Sequence, residues 1–317
     1  MLVLEGPQGA RKSTALKILA GEEWFTDELP DLGSKDAAMH MQGVWIIEIA
    51  ELDAIGKAEV SHIKAFLTRT TDRFRPPYAT DIVRREDGNG ETAAENVNAE
   101  PDAADLAVAL DRLEACAPKV ESVSLVVAWF GDDLRAGHCR IRPGVEVSAK
   151  STTPENWSVD GVARGSAHLV SRDDQGRPAY GGTPSDQAII EQIRHLQAEG
   201  LSVTLNPFVL MDIPAGNVLA NPYDGSGAQP AYPWRGRITC SPAAGYAGSP
   251  DKTSTAGTQV AAFFGDAQPS DFDVDDESVD WDGDPDDWGL RRMILHYAHL
   301  CAAAGGVDAF LIGSELR

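Results

Sequence analysis

Long apolar runs are missing from this sequence. No stretch reaches the roughly 18 consecutive apolar residues of a membrane span, so no spanning helix is expected. Cysteine is scarce. Cys116, Cys139, Cys240 and Cys301 lie far apart, with no C-x-x-C pair. That spacing excludes a finger-type zinc cage and a dense disulfide framework, and leaves thiols expected to be mostly buried. Basic residues are few: 27 Lys and Arg stand against 49 Asp and Glu, a formal net charge of −22. Such a surface repels phosphate backbones, so nucleic acid is not an expected partner of the whole chain. The first residues, MLVLEGPQGARK, have too short an apolar stretch for a signal peptide. The product is expected to be cytoplasmic or assembled into a particle there.

What is present is ordinary globular material. Of 317 residues, 43% are hydrophobic and 24% charged, enough for one large or two modest domains. Much of the acid is concentrated. Between Asp266 and Asp287 stand eleven Asp and Glu and no Lys or Arg. A calcium loop starting at Asp280 would place Gly283 at position four rather than six and Arg291 at position twelve instead of Glu. The stretch is therefore read as a solvated acidic loop, and no metal site is expected.

The chain divides into two dissimilar segments, residues 1–78 and 79–317. In the first, MLVLEG reads as a strand, PQGARKS as a glycine-containing turn and TALKILAG as a helix. Strand, loop and helix is the setting of a phosphate-binding loop. Gly6, Lys12 and Ser13 fit the G-x-x-x-x-G-K-[ST] pattern, whereas Arg11 takes the place of its second glycine. A Cβ there strains a backbone that must turn its N–H groups toward an anion. The next strand, GVWIIEIAEL, ends in Glu48, with Glu51 close behind, where an acid that organises Mg²⁺ or activates water would sit. Lys64, Arg69, Arg73 and Arg75 follow on a basic helix and turn. They suit phosphate contacts or a solvated face.

These runs, continued through WIIEIAELDAIGKAEVSHIKAFLTRTTDRFRPPY, resemble the virulence-associated E family of phage-linked P-loop proteins, related to primase-helicases. The resemblance implies Mg-ATP as cofactor. It implies Gly6, Gly9, Lys12, Ser13 and Thr14 as nucleotide-binding residues, and Glu48 or Glu51 as the acid serving the hydrolytic water. It ends at Tyr78 with two convincing strands, fewer than a P-loop sheet needs. A truncated P-loop NTPase-like segment is expected.

From residue 79 onward helices and apolar strands alternate. DAADLAVALDRLEA is a helix that Asp102 can cap, and SVSLVVAWF is a continuous apolar run, expected to be a parallel strand buried on both faces. TPSDQAIIEQIRHLQAEG is a helix capped by Thr183 or Ser185 and stopped by Gly200. LSVTLNPFVL, WGLRRMILHYAHLCAAAGG and VDAFLIGSE supply another strand, helix and strand. Regular alternation predicts an α/β fold with a parallel sheet, doubly wound or a (β/α)₈ barrel. The unit opens on a helix, so a strand is expected before Asp102. Counted with it, DAFLIGSE is strand four of a partial barrel, and Glu315 stands at its carboxyl end.

Barrels work at the loops after their strands. Glu315 at the end of strand four is the candidate general acid/base of a glycoside-hydrolysing site, which needs a second carboxylate about 5–9.5 Å away. A mouth-lining Glu paired with Arg135 or Arg317 is the structural alternative. Trp129 closes the first strand and suits sugar stacking or core packing equally. Asp132 and Asp133 suit hydroxyl binding or a solvated turn. Asn206, Asp212 and Trp234 complete the candidate substrate set. His296 and His299 lie three apart on a helix without a zinc-binding pattern, and are read as surface or packing residues.

The runs SVSLVVAWFGDDLRAGHCRIRPGVEV, RPAYGGTPSD, QPAYPWRGRITCSPA, SPDKTSTAGTQVAAFFG and RRMILHYAHLCAAAGGVDAFLIGSELR resemble the TIM-barrel-like region of the baseplate protein of gene transfer agents, which are phage-like tailed particles. The resemblance implies a tail component with a glycoside-hydrolase-like barrel and no cofactor. It implies other tail and baseplate proteins as partners, together with cell-envelope glycan to bind or cleave. Ser314 stands where such sites carry Asn before the glutamate. The family continues beyond IGSELR, so the front half of the barrel is expected here, fused to the P-loop segment.

Overall fold

The computed structural model describes residues 25–26, 46–47, 82–86, 92–97, 103–154, 156–233 and 237–313. The backbone forms two compact units, Met1–Asp72 and Arg73–Arg317. In the first, the described residues form one parallel pair, β1 (Phe25–Thr26) and β2 (Ile46–Ile47). The expected phosphate-binding loop lies outside the described residues.

The second unit is α/β. Short strands β3 (Arg84–Glu86) and β4 (Thr92–Ala94) precede helix α1 (Asp105–Cys116), whose N-cap is Ala104, without a side-chain cap. The expected cap, Asp102, lies outside the described residues. Strand β5 (Ser122–Gly131) follows. The next fifty residues hold small strands: β6 (Ile141–Arg142), β7 (Gly144–Val145), β8 (Thr152–Thr153), β9 (Ser158–Val159), β10 (Val162–Ala163) and β11 (His168–Leu169). Then come α2 (Asp186–Ala198), β12 (Ser202–Met211), α3 (Ser254–Phe264), the hairpin strands β13 (Phe272–Val274) and β14 (Val279–Trp281), α4 (Leu290–Ala303) and β15 (Ala309–Phe310).

The principal sheet has the order β15-β12-β5-β6. Strands β5, β12 and β15 are parallel, and β5 and β12 pair over their full length, from Ser122↔Ser202 to Gly131↔Met211. Sequential strands lie side by side, with α2 and α4 in the crossovers. Four strands make no closed barrel. The antiparallel β6 touches β5 only at its end, Phe130↔Arg142 and Gly131↔Ile141.

The helices form where their apolar faces meet this sheet. In α2, Ser185 Oγ accepts the Ala188 N–H at 3.2 Å, and Gly200 leaves the helix at φ +80°. Ile189, Ile190, Ile193 and Leu196 are wholly buried, as are Met293, Tyr297 and Leu300 of α4. They pack on Leu125, Val127 and Trp129 of β5 and Val203 and Leu205 of β12. Each such side chain contributes about 1.5–3 kcal/mol on leaving water.

The opposite face is open over the first half of β5, which corrects the expectation that the strand is buried on both sides throughout. Val126 is 47% exposed, and Ser122 and Ser124 are exposed. The helices cover one face; on the other, among the described residues only the carboxyl end is covered, where Phe130 is buried against His168 and Tyr180. The acidic stretch is also more ordered than a solvated loop. It contains the β13–β14 hairpin, in register from Phe272↔Trp281 to Val274↔Val279.

Candidate functional site

The carboxyl ends of β5 and β12 bring three carboxylates together. Gly131 and Met211 are paired, so Asp132, Asp133 and Asp212 follow at one end of the sheet. The Asp212 N–H donates to the Gly131 carbonyl at 2.8 Å, which ties the two strand ends.

Their surroundings differ. Asp132 accepts the Arg140 N–H at 2.8 Å and pairs with Arg142 Nη2 at 3.1 Å. Asp133 is buried and saturated. It accepts Arg135 Nη2 at 2.6 Å, the Arg135 N–H at 2.8 Å and Gln229 Nε2 at 2.7 Å. Burial alone would raise its carboxyl pKa, but the bonds from Arg135 and Gln229 together hold it below the usual range. Arg135 is thereby engaged by Asp133. Asp212 pairs with no arginine among the described residues. Its Oδ2 accepts the Ser171 N–H at 2.9 Å and lies 2.7 Å from His168 Nε2.

Asn206 stands on the face of β12 away from the helices, opposite Val126 in register. Its Oδ1 is buried and has no hydrogen-bond partner among the described residues. Trp129 has no face open to a ligand. It is wholly buried, with ring centroids of His296, Tyr297 and Trp288 at 5.4, 6.1 and 6.4 Å. The odd-numbered residues of β5 point toward the helices, and Trp129 is one of them. Trp234, Glu315, Gly6, Gly9, Lys12, Ser13, Thr14, Glu48 and Glu51 lie outside the described residues, as do Lys64, Arg69, Arg73, Arg75 and Arg317.

Two groups escaped sequence reasoning. One is His168, brought to Asp212 by pairing of β11 with β7. A lone histidine in an irregular stretch carried no signal. The other is a buried charge cluster under the sheet. Arg292 Nε meets Asp160 Oδ2 at 2.7 Å, and its guanidinium lies 3.7 Å from the Trp288 ring and 4.3 Å from that of Trp281. His296 stands between Asp160 Oδ1 at 3.4 Å and Asp186 Oδ1 at 3.0 Å. Burial disfavours its charged form, yet the two carboxylates outweigh burial and push its pKa up to about 10. His296 is a packing residue, as its helix spacing suggested, but a charged one. His299, partly exposed, packs against Phe272 at 5.1 Å.

The two buried thiols carry no nucleophilic chemistry. Burial pushes Cys139 and Cys301 up to about 12, and an inert thiol results. Cys116 is exposed and Cys240 partly so, fewer buried thiols than expected. Among the described residues no group of three or more His, Cys, Asp or Glu is placed to hold a metal ion, and no helix is long and apolar enough to cross a membrane.

Residues 1–87 match the Virulence-associated protein E-like domain. Residues 288–317, which contain α4 and β15, match the GTA TIM-barrel-like domain. The chain joins two family signatures. The first runs through β3, past Tyr78, and the second is confined to the last helix and strand of the parallel sheet. A search of curated proteins returned no match.

Proposed function

We propose that residues 79–317 serve as a glycoside-hydrolase-like, TIM-barrel-like module of a phage-tail or gene-transfer-agent baseplate, which binds or cleaves cell-envelope glycan at the carboxyl ends of its parallel strands. One observation carries the reading: β5, β12 and β15 are parallel and adjacent in chain order, and the last of them lies in the GTA TIM-barrel-like match. Barrels add strands in sequence and work at this end, whereas doubly wound sheets reverse their order at the ligand crevice. Asp132, 30% exposed, supplies a hydrogen-bonding group for sugar hydroxyls, with Asn206 further back along β12 and the wholly buried Asp212 fixing the rim from within. Glu315, with Trp234 on a later loop, completes the proposed site as acid/base.

Co-sedimentation of the full chain with purified, insoluble peptidoglycan tests this. The chain is expected to pellet with the glycan. The double variant Asp132→Asn, Asp212→Asn is expected to weaken that association at least tenfold, and Lys12→Ala to leave it unchanged. Glu315→Gln is expected to keep binding and to stop any release of soluble sugar. Absence of glycan-dependent pelleting in the wild-type chain contradicts the proposal.

The match of residues 1–87 favours a second reading, an ATP-dependent phage replication protein. It requires MgATP binding at micromolar levels that Lys12→Ala abolishes, with glycan ignored.

A further inference from the structure

Of the three carboxylates at the strand ends, two are neutralised by arginine, Asp132 by Arg142 and Asp133 by Arg135. Asp212 differs. Its side chain is 0% exposed, its Oδ1 has no hydrogen-bond partner among the described residues, and the only basic side chain paired with it there is His168. A buried carboxylate without a fixed counter-charge is costly unless a proton can be placed beside it.

The geometry fixes which nitrogen carries the first proton. An ionised carboxylate only accepts, so the 2.7 Å contact requires Nε2–H on His168. The same Oδ2 takes the Ser171 N–H, which holds the carboxylate still. Nδ1 is then the nitrogen with the free lone pair. It has no hydrogen-bond partner among the described residues, and the His168 side chain keeps 16% exposure. Phe130, 6.0 Å away, lies against the ring and limits its rotation. Gly144, paired with His168, leaves room for this packing: a Cβ there would stand 2.6 Å from Phe130 Cδ2.

We infer that His168 is a proton-transfer residue, positioned by Asp212, that takes a proton at Nδ1 from a water or hydroxyl at the carboxyl ends of β5 and β12. The imidazolium that forms is the counter-charge Asp212 otherwise lacks. The ligand class is one that donates a hydrogen bond from a hydroxyl group to Nδ1. This reading does not depend on the glycan proposal, because it specifies a proton and an atom rather than a sugar.

Two measurements on the full chain test it. Long-range ¹H–¹⁵N correlation spectra of the histidine-labelled protein are expected to show His168 as a single Nε2–H tautomer with Nδ1 unprotonated, assigned by His168→Gln. The second uses p-nitrophenyl acetate as a probe of accessible proton-accepting imidazole. The water oxygen bonds to the acyl carbon, its proton passes to Nδ1, and the bond to p-nitrophenolate breaks. Acetic acid and p-nitrophenolate leave, the acid ionises in solution, and the imidazolium returns its proton to solvent.

His168→Gln is expected to lower the protein-dependent rate about tenfold or more, whereas His138→Gln, at an exposed position, leaves it unchanged. Asp212→Asn preserves the shape and an acceptor oxygen, so it is expected to keep the tautomer and lose several-fold in rate. Near-UV circular dichroism confirms that each variant is folded. An Nδ1–H tautomer in the wild-type chain overturns the inference. So does a folded His168→Gln that loses no more rate than His138→Gln.

Discussion

Arg292 and His296 show how single residues anchor the long loops of this unit. Both lie on α4, yet their partners come from the β9–β10 turn, the first turn of α2 and the acidic hairpin. With His296 protonated the four groups, Asp160, Asp186, Arg292 and His296, sum to zero charge, which is what allows them to be buried together. Removing one leaves the others uncompensated. His296→Ala is expected to cost about 3–5 kcal/mol, read from urea unfolding of the full chain; a loss under about 1 kcal/mol contradicts the charged cluster.

The sign of the pH dependence follows from the same pair of carboxylates. The pKa of His296 is raised in the fold to about 10 from an ordinary 6.5. Its contribution to stability is fully present below the ordinary value and is lost as pH rises through the folded one. The stability gap between the wild-type chain and His296→Gln is therefore expected to shrink steadily from about pH 7 to pH 10, measured by thermal melts. A gap that widens over that interval contradicts it. The helical register of His296 was legible in the sequence, but its charge was not. Asp160 and Asp186 are far away in the chain, and no local pattern marks them as its partners.

At the scale of elements, β5 reads as an unbroken apolar run, and the structure makes it a strand with two unlike faces. Leu125 is 5% exposed and Val126 47% exposed. Leu125→Ala is expected to cost about 2–5 kcal/mol, whereas Val126→Ser should stay within about 0.5 kcal/mol. Equal losses on denaturant unfolding would mean that both faces are covered. The strand itself was legible. The one-sided burial of its first half was not, because composition alone leaves open whether anything covers a second face.

The capping of α2 was legible to one of two residues. Ser185 accepts the Ala188 N–H, and Ser185→Ala is expected to cost about 1 kcal/mol, measured in the same way. Thr183, the other candidate cap, instead donates from Oγ1 to the Ala128 carbonyl at 2.7 Å and binds the loop to β5. Helix α3 was missed. Its residues STAGTQVAAFF include no fully buried side chain, so no apolar stripe announces it. The β13–β14 hairpin was missed for the opposite reason: its acids dominate the composition, while Val279 is wholly buried and Phe272 and Trp281 pack at 5.0 Å.

For the molecule as a whole, alternation of helices and apolar strands announced the parallel α/β sheet. It left undecided whether the strands run in chain order or reverse. That choice depends on which edge of β12 receives β15, a contact across about a hundred residues that no local pattern encodes. The sheet places β15 beyond β12, with Thr204 paired to Ser124 on one side and to Ala309 on the other. The site proposals rest on this order, since it sets which strand ends, and so which side chains, share one rim.

Cysteine cross-linking in the full chain measures the order directly. Neighbouring strands lie about 4.8 Å apart, within disulfide range, whereas strands two apart lie outside it. The double variants Thr204→Cys with Ala309→Cys and Ser124→Cys with Thr204→Cys are expected to form disulfides under mild oxidation, mapped by mass spectrometry. Ser124→Cys with Ala309→Cys is expected to form none, and efficient cross-linking of that pair would place β15 beside β5 and contradict the barrel-like order.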